Sequence, residues 1–249
     1  MTVLNEADAV YLGGQAVDAV YAGANKVWPA APPVLTYPET VLAKNPIAYW
    51  RMGLATPGPV PDQVGNARPL NLTGSMSVAA SLLPNGDGAS TLFTGGTAST
   101  PNVTAQMLAI SSALTFEIWI KPASLPGNST QLVNTTQPIL VVLASGQVVL
   151  ALAWTGASPK VQSTVNVQVG QTYHIVATST DNTTSNLYIN GQDATGTVTA
   201  QTITAANRQL VTGSGGQTAL NAQMQELAYY DRPLSLTEAQ ENYAAGGGT

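Results

Sequence analysis

The sequence contains no cysteine, so disulfide bonds, thiolate metal ligands and cysteine nucleophiles are all excluded. Charged residues are also scarce, at 8 % of the 249 residues, against about a quarter in typical globular domains. Thr, Ser, Asn, Gln and Gly take their place. We therefore expect a surface that forms hydrogen bonds but carries little charge.

Basic residues are few and dispersed. Eight Lys and Arg stand against 13 Asp and Glu, which gives a formal net charge of −5. Nucleic-acid binding requires clustered basic side chains that displace counterions, and attraction to an anionic membrane has the same requirement. Because the basic residues are scattered from Lys26 to Arg232, we expect neither nucleic acid nor a membrane surface as a partner.

Long apolar runs are absent as well. No stretch of about 18 apolar residues occurs, so no membrane-spanning helix is predicted. The most apolar stretch, residues 139–154, is interrupted by Ser145-Gly146-Gln147, which predicts two buried strands joined by a turn. The first eight residues carry two acids and no base. They do not resemble a secretory signal, which has a basic start and an apolar core.

An internal repeat opens the chain: Asp8-Ala-Val-Tyr-Leu-Gly13 recurs as Asp18-Ala-Val-Tyr-Ala-Gly23. Each copy is a short β-prone run followed by a glycine turn, which predicts a small β-meander over residues 1–28. So short a segment cannot bury a core by itself. Its apolar side chains must pack either on the rest of their own chain or on a neighbouring subunit. The candidate anchoring and oligomer contacts are Val10, Tyr11, Val20, Tyr21 and Trp28.

Prolines mark the next segment. Pro29-Ala-Ala-Pro-Pro33 and Pro38 favour extended, polyproline-like backbone, so residues 29–44 are predicted to form a stiff linker. Residues 45–249 then form a β domain, in which many short apolar runs are separated by Gly and Pro turns.

Two features of this domain are specific. Residues 114–121 alternate with period two, so that Leu114, Phe116, Ile118 and Ile120 share one face of a strand. Asn190-Gly191 is a strong hairpin-turn signal.

One helix is predicted, at the C-terminal end. Ser235 and Glu238 have the spacing of a capping box, and glycines from Gly246 onward end the helix. Leu236, Ala239 and Tyr243 would face the β domain.

Several segments follow one another in an order that is typical of one family. They are residues 48–53 (AYWRMG), 62–66 (DQVGN), 88–95 (GASTLFTG), 114–122 (LTFEIWIKP), 173–178 (YHIVAT), 187–191 (LYING) and 226–235 (ELAYYDRPLS). The ordered set resembles the concanavalin-A-like, laminin-G-like jelly-roll family over about residues 45–246. The resemblance implies an all-β fold, a two-sheet antiparallel jelly-roll sandwich, and recognition of carbohydrate or protein.

The repeat has a resemblance of its own. The pattern Val-Tyr-Leu-Gly, Val-Tyr-Ala-Gly and Lys26-Val-Trp28 resembles short N-terminal segments of tailed-bacteriophage virion proteins. This implies a minor tail or capsid decoration protein at the virion surface, assembled in the host cytoplasm and released by lysis. Residues 1–28 would bind other virion proteins and the jelly roll would face outward, where it could hold host glycan. A homo-oligomer such as a trimer would supply partners for the anchor strands.

Two other functions remain open, a stand-alone carbohydrate-binding lectin domain and a glycoside hydrolase. Hydrolysis needs two suitably spaced carboxylates, and glucanases of this fold carry theirs in a Glu-x-Asp-x-(x)-Glu pattern that is absent here. Glu117 is the only acid expected in mid-strand, and His174 is the only histidine. We expect structural roles for both, so we predict no catalytic residue and a protein that is not an enzyme.

The sequence predicts no cofactor. Zinc needs three or four His, Cys or acidic ligands, which the chain cannot assemble convincingly. The resemblance allows a structural calcium ion, and Asp62, Asp87 and Asp181 lie in oxygen-rich segments, but we expect these residues to form Asp turns.

Sugar binding commonly uses an exposed aromatic ring, and Trp119 and Trp154 are candidates by residue type. Trp119 is available only if no other part of the chain covers its strand face. Trp50 is expected in the core.

Overall fold

The computed structural model describes residues 11–12, 15–16, 19–22, 25–28, 35–53, 57–65, 68–102, 106–152, 160–213 and 218–249. The chain divides into two compact units, residues 1–35 and 36–249.

The first unit contains two short hairpins. β1 (Tyr11–Leu12) pairs with β2 (Gln15–Ala16), and β3 (Val20–Ala22) pairs with β4 (Asn25–Trp28), both antiparallel. The strands predicted from the repeat are therefore present. Within the described residues they form two separate ladders instead of one continuous meander.

The second unit begins with a helix where the prolines predict extended backbone. α1 (Tyr37–Ala43) starts after Thr36, whose backbone N donates to Glu39 Oε2 at 2.8 Å. Pro38 lies in the first turn, where a helix makes no use of the missing N–H. The linker prediction is therefore wrong for residues 37–43, since this proline starts a helix, and residues 29–34 lie outside the described part.

The strands of the second unit, and its last helix, follow in chain order. They are β5 (Ala48–Trp50), β6 (Gly58–Val60), β7 (Leu70–Thr73), β8 (Met76–Ala79), β9 (Ser90–Thr94), β10 (Thr97–Ser99), β11 (Leu108–Ile110), β12 (Leu114–Pro122), β13 (Ser129–Asn134), β14 (Ile139–Leu143), β15 (Gln147–Ala151), β16 (Val161–Asn166), β17 (Tyr173–Ser179), β18 (Ser185–Ile189), β19 (Gln192–Asp193), β20 (Thr195–Val198), β21 (Ala206–Arg208), β22 (Val211–Thr212), β23 (Asn221–Tyr230) and α2 (Leu236–Ala245).

These strands form two large antiparallel sheets, which confirms the predicted fold class. The nine-stranded sheet has the order β20-β16-β15-β14-β13-β22-β10-β7-β6. The eight-stranded sheet has the order β19-β18-β17-β12-β23-β9-β8, with β5 also paired to β23, and β11 pairs with β21. The main core combines inward side chains of both sheets, including the predicted Leu114, Phe116, Ile118 and Ile120 face. Trp50 belongs to the same core, as expected.

The predicted turns are present. The apolar stretch forms β14 and β15 with a turn at residues 144–146. Asn190 and Gly191 join β18 to β19 with φ values of 52° and 68°, the left-handed pair that a tight hairpin requires. At the start of α2, Glu238 N donates to Ser235 Oγ and Ser235 N donates to Glu238 Oε2, so the capping box is confirmed.

A second core lies on the outer face of the eight-stranded sheet. Tyr37 and Val41 of α1 and Ala239 of α2 are buried there, and Leu236 and Tyr243 pack against the same cluster. The predicted inward face of α2 is thus confirmed. The two helices add a third layer over part of the sandwich and bury the polar residues beneath them.

Candidate functional site

Glu117 lies at the centre of the helix-covered face and is fully buried. Its carboxylate accepts hydrogen bonds from four side chains contributed by four elements. The donors are Tyr37 Oη at 2.8 Å, His174 Nε2 at 2.8 Å, Tyr230 Oη at 2.8 Å and Asn242 Nδ2 at 2.9 Å. The hydrogen bonds lie on the strand face opposite Phe116, as the alternation predicts.

The ionised form of Glu117 is stabilised by these contacts. Burial by itself raises the pKa of the carboxyl group. The hydrogen bond and charge of His174, with the hydrogen bonds from Tyr37 and Tyr230, outweigh that effect and hold the pKa of Glu117 below its usual range.

A second carboxylate, Glu226, lies in the middle of β23. The expectation that Glu117 is the only acid in mid-strand is therefore wrong, because β23 begins at Asn221 and not at residue 226. Glu226 has φ 58°, a left-handed conformation, beside the register shift between β23 and β12. Tyr49 Oη and Arg51 Nε donate to it, the latter at 3.1 Å. Burial raises the pKa of Glu226.

Both carboxylates are enclosed by the fold. Glu117 is 0 % and Glu226 1 % exposed, and protein donors occupy their oxygens. Neither carboxylate is open to a substrate in this arrangement.

The three aspartates considered for calcium make other contacts. Asp62 Oδ1 accepts from the backbone N of Tyr49 and of Val64, and Asp181 Oδ1 accepts from the backbone N of Thr183 and of Thr184. Asp87 pairs with Arg51 at 3.0 Å. Within the described ranges, no group of three or more His, Asp or Glu side chains could hold a metal ion.

The aromatic candidates do not form a sugar platform in the described structure. Trp119 is 1 % exposed beneath the helices, with its ring stacked on Tyr243 at a centroid separation of 5.7 Å. Trp154 lies outside the described residues. So do Val10 and the side chains of Tyr11, Tyr21 and Trp28, whereas Val20 is half-buried.

A cleft lies at one edge of the nine-stranded sheet. It has a volume of about 440 Å³ and lies among β15, β16 and β20. Its described lining consists only of uncharged residues, mostly with amide or hydroxyl side chains: Gln147, Gln162, Ser163, Thr164, Gly196, Thr197 and Thr199.

Local sequence explains why the cleft forms. On β16, Val161 enters the core while Gln162 faces outward to the cleft, as expected from strand alternation. The ladder of β16 with the edge strand β20 shifts register between Val161 and Ser163. At Gly196, a Cβ atom would stand 2.3 Å from the backbone oxygen of Gln162, so only glycine allows the strands to approach this closely.

Sequence reasoning missed this cleft because it searched for aromatic rings and carboxylates. The available signal was the run of small and hydroxyl-bearing residues at Thr195-Gly-Thr-Val-Thr199. It could be interpreted only together with the pairing of β20 to β16.

Comparison with known proteins places the fold in a family. The family model described as the concanavalin A-like lectin/glucanases superfamily matches residues 68–240. The chain therefore belongs to that superfamily. The match begins after the N-terminal repeat, so the resemblance of that repeat to phage virion proteins stays a prediction. The comparison with curated protein sequences finds no match.

Solved structures support the fold. Domain 4 of AbnA, a GH43 extracellular arabinanase from Geobacillus stearothermophilus in complex with arabinotriose, has a TM-score of 0.62 and 19 % identity, over 79 % of this chain and 97 % of that one. The binding domain of Paraclostridial Mosquitocidal Protein 1 has a TM-score of 0.61 and 14 % identity, over 79 % and 51 %. Trypanosoma rangeli sialidase in complex with the inhibitor DANA has a TM-score of 0.59 and 16 % identity, over 91 % and 35 %. This chain thus spans about half of the mosquitocidal binding-domain chain and about a third of the sialidase. None of the helices in the described part is long and apolar enough to cross a membrane.

Proposed function

We propose that this protein is a non-catalytic glycan-binding module and that the cleft among β15, β16 and β20 is its binding site. The observation that carries the proposal is the lining of amides and hydroxyls on an open sheet edge. Such groups pair with sugar hydroxyls without the cost of burying a charge.

The side chains are available for a ligand. Among the described residues, the hydroxyls of Thr164, Thr197 and Thr199 make no hydrogen bond within the chain, although all three line the cleft. The two mid-strand carboxylates, Glu117 and Glu226, are instead buried and accept hydrogen bonds from protein side chains. A similar domain, domain 4 of the arabinanase AbnA, was solved with arabinotriose, which supports sugar binding on this fold.

Alanine at Gly196 is expected to weaken glycan binding at least tenfold, about 1.4 kcal/mol. The new Cβ would collide with the Gln162 backbone oxygen and displace β20 from the cleft. The full-length protein is applied to a glycan array, and affinity for the strongest ligand is then measured by calorimetry.

Gly127→Ala is the matched control, because nothing lies within 4 Å of a Cβ at Gly127. Thermal unfolding checks that both variants fold. Equal affinity of Gly196→Ala and Gly127→Ala would place the binding site elsewhere. Release of reducing ends from the bound glycan would instead favour the hydrolase alternative.

We further propose that the glycan-binding unit is displayed on a phage virion, as a minor tail or decoration protein, and anchored by residues 1–28. The two hairpins favour this, since two-stranded ladders of two to four residues are not stable alone and need a packing partner. A homo-oligomer or a neighbouring virion protein would supply it.

Deletion of residues 1–30 is expected to abolish incorporation into particles while glycan binding is retained. Incorporation is measured by mass spectrometry of purified virions, with Gly127→Ala as the unaltered reference. Undiminished incorporation of the deletion variant would refute anchoring by this segment.

A further inference from the structure

The orientation of the side-chain amides in the cleft is fixed by a backbone carbonyl. Gln147 Nε2 donates to the backbone oxygen of Ser163 at 3.2 Å, and that oxygen can only accept. Gln147 must therefore turn its own Oε1 away from Ser163. Gln162 Nε2 donates to this Oε1. The hydrogen-bond network thus determines which end of each amide is oxygen and which is nitrogen.

Gln162 is the second amide in this hydrogen-bond network, and the network determines which of its groups face a ligand. With one N–H of Nε2 directed at Gln147, Gln162 has two groups left for a ligand: Oε1, which can only accept, and its second N–H, which can only donate. No donor in the described part of the chain hydrogen-bonds to Oε1. Around it, the cleft offers the hydroxyls of Thr164, Thr197 and Thr199, each of which can donate or accept.

The described lining of the cleft places no positively charged side chain beside Gln162 Oε1. No Lys, Arg or His lines the cleft among the described residues. Lys160 directly precedes β16, and its backbone oxygen accepts from Thr199 N, but its side chain is fully buried. The net charge of −5 adds a long-range repulsion of anions.

We propose that this cleft selects neutral glycans and rejects acidic ones, with Gln162 as the residue that determines this specificity. The inference rests on the proposed function and adds the ligand class. A neutral sugar hydroxyl can donate to Gln162 Oε1 while its neighbours pair with the threonine hydroxyls. A carboxylate or sulfate oxygen can only accept, so it could pair with the second N–H of Gln162 but would leave Oε1 without a donor. It would also lose its hydration without gaining a cation.

The test is an array of matched pairs applied to the full-length protein. Each neutral oligosaccharide stands beside a partner with the same backbone linkages and one or more acidic groups, such as N-acetyllactosamine and its sialylated form, or trigalactose and trigalacturonic acid. The neutral member is expected to bind at least tenfold more tightly in every pair that binds. Equal or tighter binding of the acidic members would overturn the selectivity and leave the proposed function standing. Binding of no glycan of either kind would overturn both.

Introducing a positive charge at position 162 tests the role of Gln162 in this selectivity. Gln162→Lys replaces the acceptor with a cation and is expected to reverse the preference, weakening the neutral member and strengthening the acidic one by at least tenfold each. Gln168→Lys is the matched control, since Gln168 is an exposed glutamine that does not line the cleft. An equal shift in both variants would contradict a specific role for Gln162, because the added charge would then act from any surface position. Thermal unfolding midpoints show that both variants are folded.

Discussion

Replacing Glu117 with alanine is expected to lower the free energy of unfolding by about 3–5 kcal/mol. The substitution leaves Tyr37, His174, Tyr230 and Asn242 without their common acceptor in a buried site. Each unsatisfied buried donor costs free energy, and the four donors come from α1, β17, β23 and α2. Urea denaturation of the full-length protein, followed by tryptophan fluorescence, measures the loss.

Glu241→Ala is the control for loss of a carboxylate. Glu241 pairs with Lys44 at 3.0 Å but is 57 % exposed, so its removal should leave the denaturation midpoint nearly unchanged. If Glu117→Ala were as stable as Glu241→Ala, the hydrogen-bond network of Glu117 would not stabilise the packing of α1 and α2 on the sheet.

The contribution of Glu117 also has a defined pH dependence. Its pKa is lowered in the fold, so its stabilisation is complete above the unfolded-state pKa and is lost as pH falls through the folded-state pKa. The pKa of Glu226 is raised, so its contribution is complete below the unfolded-state pKa and is lost as pH rises through the folded-state pKa. The difference in stability between wild type and Glu117→Gln should therefore shrink in acid, whereas that for Glu226→Gln should not.

Replacing Tyr37 with alanine is expected to cost about 3–5 kcal/mol of unfolding free energy. The ring is fully buried and packs edge-on against Trp119, with centroids 6.0 Å apart, and its hydroxyl bonds to Glu117. Tyr37→Phe retains the ring and loses one hydrogen bond to a charged group, so about 1.5–3 kcal/mol is expected. Chemical denaturation of the three proteins separates the packing contribution from the hydrogen bond.

Leu42→Ala is the control on the same helix, because Leu42 is 37 % exposed and lies on the outer side of α1. A small change is expected there. Should Tyr37→Ala unfold at the same urea concentration as Leu42→Ala, α1 would not be part of the sandwich unit. A fragment that begins at residue 45 would lack Tyr37 and would therefore expose the second core.

The strand faces could be predicted from local alternation, but their surroundings could not. Residues 114–121 show which side chains share a face, and the structure places Phe116 inward and Glu117 outward accordingly. Whether the outward face meets water depends on α1, which lies almost 80 residues earlier in the chain. Pro38 favoured extended backbone when considered alone, although the same residue fits the first turn of a helix.

The candidate site was harder to predict for a similar reason. Gln147, Gln162 and Gly196 come from three strands, and their proximity follows from ladder pairing and two register shifts, one in each ladder. Single glutamines and threonines carry no motif, and the role of Gly196 becomes visible only once the Gln162 backbone lies opposite it. Glu226 was assigned to a strand end because the start of β23 carries no distinct sequence signal.

The most direct measurement of the central claim is a crystal structure of the full-length protein soaked with the tightest-binding neutral oligosaccharide from the array. The sugar is expected among β15, β16 and β20, with a hydroxyl donating to Gln162 Oε1. An ordered oligosaccharide on any other surface, with this cleft empty, would contradict the assignment of the binding site.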